Sequence, residues 1–258
     1  MSGTNQSPNS MALILKSLKL PTIAGAYEDI AAQAVSDGWT HQNYLGHLLE
    51  LEAEDRRRRR IARYSKNSKL PSNKTLATLD QKCLPTKVTR MLPSLCDGGF
   101  AERAENIIAI GNPGTGKSHL VSAIGHELVT RGVEVLFAPT FRLVQRLLKA
   151  KRDLCLESLL RRLDRFAVVI LDDIGYVQQE REEMEVLFTF LSERYERRSV
   201  IITSNLVFSQ WDKIFKDTMT TAAAIDRVVH HSTILELTGK SFRTATAKAR
   251  KNEGSSSA

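Results

Sequence analysis

The sequence predicts an α/β fold, with a parallel sheet flanked by helices and a small all-helical domain before it. Short apolar runs typical of buried parallel strands alternate with segments of helical periodicity between residues 106 and 202. The first run leads into a glycine-rich loop, and a later run ends in two adjacent aspartates. The 258 residues, 42% of them hydrophobic, are enough for one substantial core and a small helical domain.

The N-terminal part of the chain is predicted to be helical and basic. Leu45, Leu48 and Leu49 suggest an amphipathic helix, and Thr40 is a suitable N-cap for it. An arginine run follows, which is also a feature of solvated helix faces and localisation patches. Phosphate binding is favoured here because a nucleotide-binding motif accompanies the run. The candidate DNA-binding residues of this region are Arg56, Arg57, Arg58, Arg59, Arg60 and Arg63.

Composition suggests the domain boundaries. We expect a basic helical domain over residues 10–68 and an α/β domain over residues 98–246. Pro71, Pro85 and the polar residues between them indicate a linker over residues 69–97. The polar ends of the chain, residues 1–9 and 247–258, are expected to be disordered tails.

The glycine-rich loop has the spacing G-x-x-x-x-G-K-[ST], between a predicted strand at 106–110 and a predicted helix at 119–130. This loop lets consecutive backbone N–H groups point at phosphate oxygens. Lys117 would add a positive charge at the β- and γ-phosphates, and the Ser118 hydroxyl would bind Mg²⁺. The candidate nucleotide-binding residues are Gly111, Asn112, Pro113, Gly114, Thr115, Gly116, Lys117, Ser118 and His119.

A second strand and a basic helix are predicted next, at residues 133–137 and 141–152. The helix places Leu143 and Leu147 on one side, with basic residues around the rest. A solvated helix face explains this pattern nearly as well as a second DNA surface does. The candidate DNA contacts on this helix are Arg142, Arg146, Lys149 and Arg152.

A third predicted strand, residues 166–171, ends in Asp172 and Asp173. Groups at the carboxyl end of a parallel strand open onto the ligand crevice. Asp172 is therefore a candidate Mg²⁺ ligand and Asp173 a candidate for polarising the attacking water. The alternative is that the aspartates only cap a turn or a helix.

A fourth predicted strand, residues 199–202, ends in Thr203, Ser204 and Asn205. Asn205 is the candidate for contact with the γ-phosphate or the attacking water, and Thr203 or Ser204 could take its place. Polar residues at a strand end also commonly form turns.

The stretch from Ile107 to Arg243 resembles the DnaC/IstB group of AAA+ P-loop ATPases, and within it the IstB-like transposition helpers. The N-terminal region is also similar to that of the IstB-like proteins. The residues that carry the resemblance are Gly111–Ser118, Ile170–Gly175, Ile202–Leu206, Phe208–Trp211, Ala222–Arg227 and His230-His231.

The resemblance implies specific roles for the candidate residues. The glycine-rich loop would be Walker A, the two aspartates Walker B, and Asn205 sensor 1. Arg227 matches an arginine finger that reaches the nucleotide of a neighbouring subunit, which implies a homo-oligomer. Arg243 could act as sensor 2 toward the nucleotide.

The function implied by the resemblance is that of an ATPase assisting an insertion-sequence transposase. ATP and Mg²⁺ would assemble it on duplex DNA, and hydrolysis to ADP and phosphate would remodel the assembly. A replicative helicase loader of the DnaC type and an ATP-binding DNA scaffold without turnover are the alternatives.

Charge and cysteine usage agree with a nucleic-acid partner inside the cell. The net charge of +8 and the pI near 9.5 favour binding to polyanions. Cys83, Cys96 and Cys155 are scattered, as in a reduced protein without disulfides or a zinc site. We expect a cytoplasmic location and no membrane association, since no signal peptide or apolar span is visible.

Overall fold

The computed structural model describes residues 8–175, 180–206, 211 and 228–238. By its contacts the chain divides into two units, Met1–Arg63 and Tyr64–Ala258. No helix among these described residues is long and apolar enough to cross a membrane.

The first unit contains helices α1 (Pro8–Ser17) and α2 (Pro21–Ser36) and most of α3 (His41–Ser68). Its core is formed by Leu15, Ile23, Ile30 and Leu48. Helix α1 begins inside the segment predicted to be a disordered tail, and its proline suits a first helical position.

Helix α3 begins as predicted and buries a narrower face than predicted. The Thr40 hydroxyl accepts a hydrogen bond from the N–H of Asn43 over 3.2 Å, which confirms the N-cap. Leu48 is buried, whereas Leu45 and Leu49 are 55% and 51% exposed. The buried face is centred on Leu48 and Glu52, so the other two leucines lie at its edge.

The segment interpreted as a linker carries regular structure. It contains a short 3₁₀ helix (Gln81–Cys83) and helix α4 (Thr86–Asp97), and α5 (Gly99–Glu102) follows. Val88, Leu92 and Leu95 of α4 are buried. Pro85 stands directly before α4, so this proline marks a helix start, and this part of the segment is folded within the second unit.

Within the described residues, the second unit is built on a five-stranded sheet of order β2-β3-β4-β1-β5, in which all four strand pairings are parallel. This confirms the predicted α/β fold. The strands are β1 (Asn106–Gly111), β2 (Val135–Pro139), β3 (Val168–Asp172), β4 (Ser199–Ser204) and β5 (Ser232–Leu237). The helices between them are α6 (Lys117–Thr130), α7 (Thr140–Arg152), α8 (Leu156–Leu163) and α9 (Arg181–Arg194).

The central strands are apolar because helices cover both faces of the sheet. Ile107 and Ile108 of β1 and Ile201 of β4 have no exposed surface. Ile107 of β1 lies opposite Ile201 of β4, and this register aligns the ends of the two strands. The carboxyl ends of β1, β3 and β4 therefore meet at one edge of the sheet.

Candidate nucleotide-binding site

A cavity of about 350 Å³ lies at the carboxyl edge of the sheet. The loops after β1, β3 and β4 supply one wall, and residues from the segment 74–84 supply the other. The residues of the first wall are Pro113, Gly114, Gly116, Lys117, Ser118, His119, Asp173, Thr203 and Asn205. Three predicted strand ends thus converge on one cavity.

The glycine-rich loop turns tightly from β1 into α6. Gly114 and Gly116 have φ angles of 85° and 91°, in the region that favours glycine. The Lys117 ammonium group donates hydrogen bonds to the carbonyl oxygens of Gly111 (2.7 Å) and Asn112 (2.9 Å). Helix α6 starts two residues earlier than predicted, because Gly116 already accepts a helical bond from the N–H of Leu120.

The Asp172 carboxylate at the end of β3 is held from the neighbouring strand. Thr203 of β4 donates its hydroxyl hydrogen to Asp172 Oδ1 over 2.8 Å and accepts the N–H of Asp173 over 2.7 Å. Thr140, at the start of α7, donates to the backbone oxygen of Asp172 over 3.0 Å. Thr203 is 1% exposed, so both of its bonds are shielded from water.

Asn205 contributes an acceptor at the same edge. Its Oδ1 atom is buried and has no hydrogen-bond partner among the described residues. A buried amide oxygen without a partner is costly, so a donor brought to this position would be stabilised.

The second wall of the cavity was missed by sequence reasoning. His119 Nε2 lies 3.0 Å from the Thr78 hydroxyl and 3.2 Å from the carbonyl oxygen of Thr75. These contacts tie the segment before α4 to the first turn of α6. Lys74 and Asp80 place charged groups on this wall, and no motif in the sequence marks them.

The oxygen donors present suit a magnesium ion. Asp172 uses Oδ1 for Thr203, while its Oδ2 has no hydrogen-bond partner in the part of the chain that the structure describes. Ser118, which carries a hydroxyl group, is one of the residues that line the cavity. Mg²⁺ prefers such oxygen ligands and usually takes only one or two from the protein.

The remaining candidate residues either lie away from this cavity or are not described by the structure. Arg227 and Arg243 are outside the described residues. Arg142, Arg146, Lys149 and Arg152 are exposed on α7. In the first unit Lys19, Arg56, Arg59, Arg60 and Arg63 line a basic cleft, and Arg57 and Arg58 are exposed nearby on α3.

Glu52 organises that basic cleft. This buried carboxylate accepts hydrogen bonds from Arg56 Nε (2.9 Å) and from the N–H groups of Thr22 (2.8 Å) and Ile23 (3.2 Å). Burial raises the pKa of Glu52, but these hydrogen bonds and the positive charge of Arg56 together outweigh burial and lower it below its ordinary value of 4.5. Arg59 also pairs with Asp55 over 2.9 Å.

Comparison with known proteins identifies the family. The profile of IstB-like ATP-binding proteins matches residues 13–250. An insertion-sequence ATP-binding protein of Sinorhizobium fredii is 40% identical over 246 residues, covering 95% of this chain and 83% of the relative. The IS21 ATP-binding protein of Pseudomonas aeruginosa is 38% identical over 238 residues, covering 91% and 89%.

A solved structure supports the fold. The crystal structure of the DnaC helicase loader superposes with a TM-score of 0.55 at 17% identity, covering 64% of this chain and 97% of that one. At this identity the likeness concerns the AAA+ P-loop fold alone. On the match over residues 13–250 and the identity to insertion-sequence ATP-binding proteins, the chain belongs to the family of IstB-like ATP-binding proteins.

Proposed function

We propose that this protein is an ATPase that assists an insertion-sequence transposase, assembling on duplex DNA with ATP and being remodelled by hydrolysis. One observation carries the proposal. The glycine-rich loop, the Asp172–Thr203 pair and Asn205 converge at one edge of the sheet, in a chain whose relatives are insertion-sequence ATP-binding proteins. The expected location is the cytoplasm, where its DNA would be.

ATP would bind with its phosphates in the glycine-rich loop. The N-terminus of α6 and the loop N–H groups favour an anion there. Lys117 would exchange its bonds to Gly111 and Asn112 for the β- and γ-phosphates, and His119 would support the opposite wall through Thr75 and Thr78. Arg243 would act as a sensor residue that contacts the same nucleotide.

Ser118 and Asp172 would hold Mg²⁺, which when bound neutralises charge that develops on the phosphates. Thr203 keeps the Asp172 carboxylate in one orientation, because its hydroxyl bridges the carboxylate and the next backbone N–H. Asp173 and Asn205 are acceptors for the water that attacks the γ-phosphorus and gives ADP and phosphate. The Oδ1 of Asn205, which has no hydrogen-bond partner among the described residues, supports that assignment.

Arg227 of a neighbouring subunit is assigned to the γ-phosphate as an arginine finger. A finger supplied by another subunit makes turnover depend on a homo-oligomer. Loss of the γ-phosphate would remove the contacts of Lys117, Asn205 and the neighbour's Arg227, so ATP and ADP would stabilise different assemblies.

DNA would be bound mainly through its phosphates. The arginines of α3 and the basic residues of α7 are exposed, and few aromatic residues are available for stacking on bases. The basic cleft held by Glu52 supports this assignment for the first unit.

The proposal is tested by measuring ATP turnover and the binding of matched duplex and single-stranded DNA. Binding is compared with ATP plus Mg²⁺ and with ADP, at one salt concentration. We expect ATP-dependent binding to duplex DNA, together with turnover. Preference for single strands would favour a helicase loader instead, and DNA binding without turnover would favour a scaffold.

A further inference from the structure

A second polar cavity, of about 320 Å³, lies in the second unit. We call it the basic cavity. Its charged and aromatic lining residues are Lys69, Glu134, Arg146, Arg162, Arg165 and Phe166. Arg146 was selected from the sequence, whereas Lys69, Arg162 and Arg165 were not.

The basic cavity lies away from the nucleotide. Glu134 directly precedes β2, and Arg165 and Phe166 precede β3. Because β2 and β3 are parallel, these residues mark the amino edge of the sheet. The glycine-rich loop and Asp172 are at the carboxyl edge. The two cavities therefore occupy opposite edges of one sheet.

The charges in the basic cavity are not balanced. Of the described residues that line it, four carry a cationic side chain and one, Glu134, carries a carboxylate. Among the described residues, the side chains of Lys69, Arg146, Arg162 and Arg165 have no hydrogen bond or ion pair. Cations gathered on a concave wall without acidic partners attract anions, because the low-dielectric wall focuses their field.

Helix α8 provides an internal contrast. Glu157 and Arg161 on its other face, and Asp164 directly after the helix, line a cavity of about 260 Å³ that also includes Glu193, Arg194 and Arg197. There Arg197 pairs with Asp164 over 2.7 Å, and Arg161 lies 3.8 Å from Glu157. Three cations face three carboxylates. Arg161 thus lines a cavity in which the charges of the side chains balance. The adjacent Arg162 lines the basic cavity, in which they do not.

We propose that the basic cavity binds phosphodiester groups of a nucleic-acid backbone. Three of its four cations are arginines, whose planar forks match phosphate oxygens in a bidentate manner. The net charge of +8 favours such a polyanion over a neutral ligand. The inference rests on the proposed DNA binding and assigns to it a site at the amino edge of the ATPase unit, with Lys69, Arg162 and Arg165 as new contacts.

The test compares two full-length double variants of equal charge, Arg162→Gln/Arg165→Gln and Arg161→Gln/Arg197→Gln. Affinity for a labelled duplex is measured between about 50 and 200 mM salt, the range in which phosphate contacts dominate the salt dependence. Polyglutamate serves as the second polyanion. Nucleotide binding and thermal unfolding are measured for both variants to show that each is folded.

We expect the Arg162/Arg165 variant to bind duplex DNA at least about tenfold more weakly per lost contact. The slope of log K against log salt should fall by about 0.9 per contact. The Arg161/Arg197 variant should lose much less affinity for duplex DNA, and both variants should keep nucleotide binding.

Three outcomes would distinguish a wrong assignment of the basic cavity from a wrong proposed function. Equal losses in the two variants would show that only net charge matters, which would overturn the inference and leave DNA binding intact. A selective loss of polyglutamate binding, with duplex binding unchanged, would overturn it in favour of an acidic peptide. Failure of the unaltered protein to bind any DNA would instead refute the proposed function.

Discussion

The hydroxyl group of Thr203 donates a hydrogen bond of 2.8 Å to Asp172 Oδ1 and accepts one of 2.7 Å from the N–H of Asp173. One buried hydroxyl thereby links the end of β4 to both aspartates that follow β3. It has a defined donor and a defined acceptor, so its hydrogen has one position. The orientation of the proposed magnesium ligand therefore depends on a residue of the neighbouring strand.

Replacing Thr203 by valine should slow ATP turnover by about tenfold or more with little change in ATP affinity, because the Asp172 carboxylate loses its fixed orientation. The Asp173 N–H also loses its partner, which should lower the free energy of unfolding by about 1–3 kcal/mol. Steady-state kinetics, nucleotide titration and thermal unfolding measure these effects. Thr203→Ser keeps the hydroxyl and should retain most turnover; equal kinetics for the valine and serine variants would contradict the positioning role.

Replacing Lys117 by alanine should weaken ATP binding by roughly a hundredfold or more, because a charged donor to the phosphates is removed. Titration with a fluorescent ATP analogue measures the change. Lys87→Ala provides the control, since Lys87 is an exposed residue of α4 away from the cavity. Wild-type affinity in the Lys117 variant would rule out the proposed phosphate contact.

Arg227→Ala should retain ATP binding and lose turnover, if the arginine completes the site of a neighbouring subunit. Mixing this variant with Lys117→Ala gives a sharper measurement. Some interfaces of the mixture pair an intact glycine-rich loop with an intact Arg227, so turnover should reappear. A mixture as inactive as its two components, under conditions where they assemble together, would argue against a finger in trans.

Glu52→Gln should destabilise the first unit by about 1–3 kcal/mol at neutral pH, because a buried ionised acceptor of several hydrogen bonds is lost. The pKa of Glu52 is lower in the folded protein than its ordinary value of 4.5. The stability it contributes is therefore complete above pH 4.5, and it is lost as the pH falls through the lower folded pKa.

Hydrogen exchange of the amides in residues 8–63, measured at neutral and at acid pH, reports this effect. The difference between the unaltered protein and Glu52→Gln should shrink at acid pH. Glu54→Gln removes an exposed carboxylate from the same helix and should change little at either pH. A difference that stays constant with pH would mean that the ionisation of Glu52 does not stabilise the fold.

The sequence predicted those features of the fold and of the site that depend on local sequence patterns. Buried strands, the glycine-rich loop and the end of β3 at Asp172 are visible because apolar runs and fixed spacings occur within a few residues. Thr203 was chosen only as a substitute for Asn205. Its bonds to the two aspartates depend on the pairing of β3 with β4, which the sequence order does not reveal.

The parts that were missed depend on tertiary contact. Thr78 and Asp80 belong to a segment with no motif, and only folding brings them to His119 and the cavity. Arg161 and Arg162 are adjacent and chemically identical in the sequence. Their different surroundings arise because Glu157 of α8, Asp164 at its end and Glu193 of α9 line the cavity of Arg161, whereas Glu134 is the one described acidic residue that lines the cavity of Arg162.

The sheet order has a consequence for the synthesis of the chain. Strand β1 emerges from the ribosome before the other four strands, yet its partners in the sheet are β4 and β5, the last two of the described strands to be made. The strand that supports the glycine-rich loop therefore stays unpaired while most of the second unit is translated. Such non-local pairing slows folding and exposes apolar strand edges in the meantime. A nascent chain that ends before Ser232 would leave one edge of β1 unpaired. We therefore expect the chain to become able to bind ATP only after β5 has been translated.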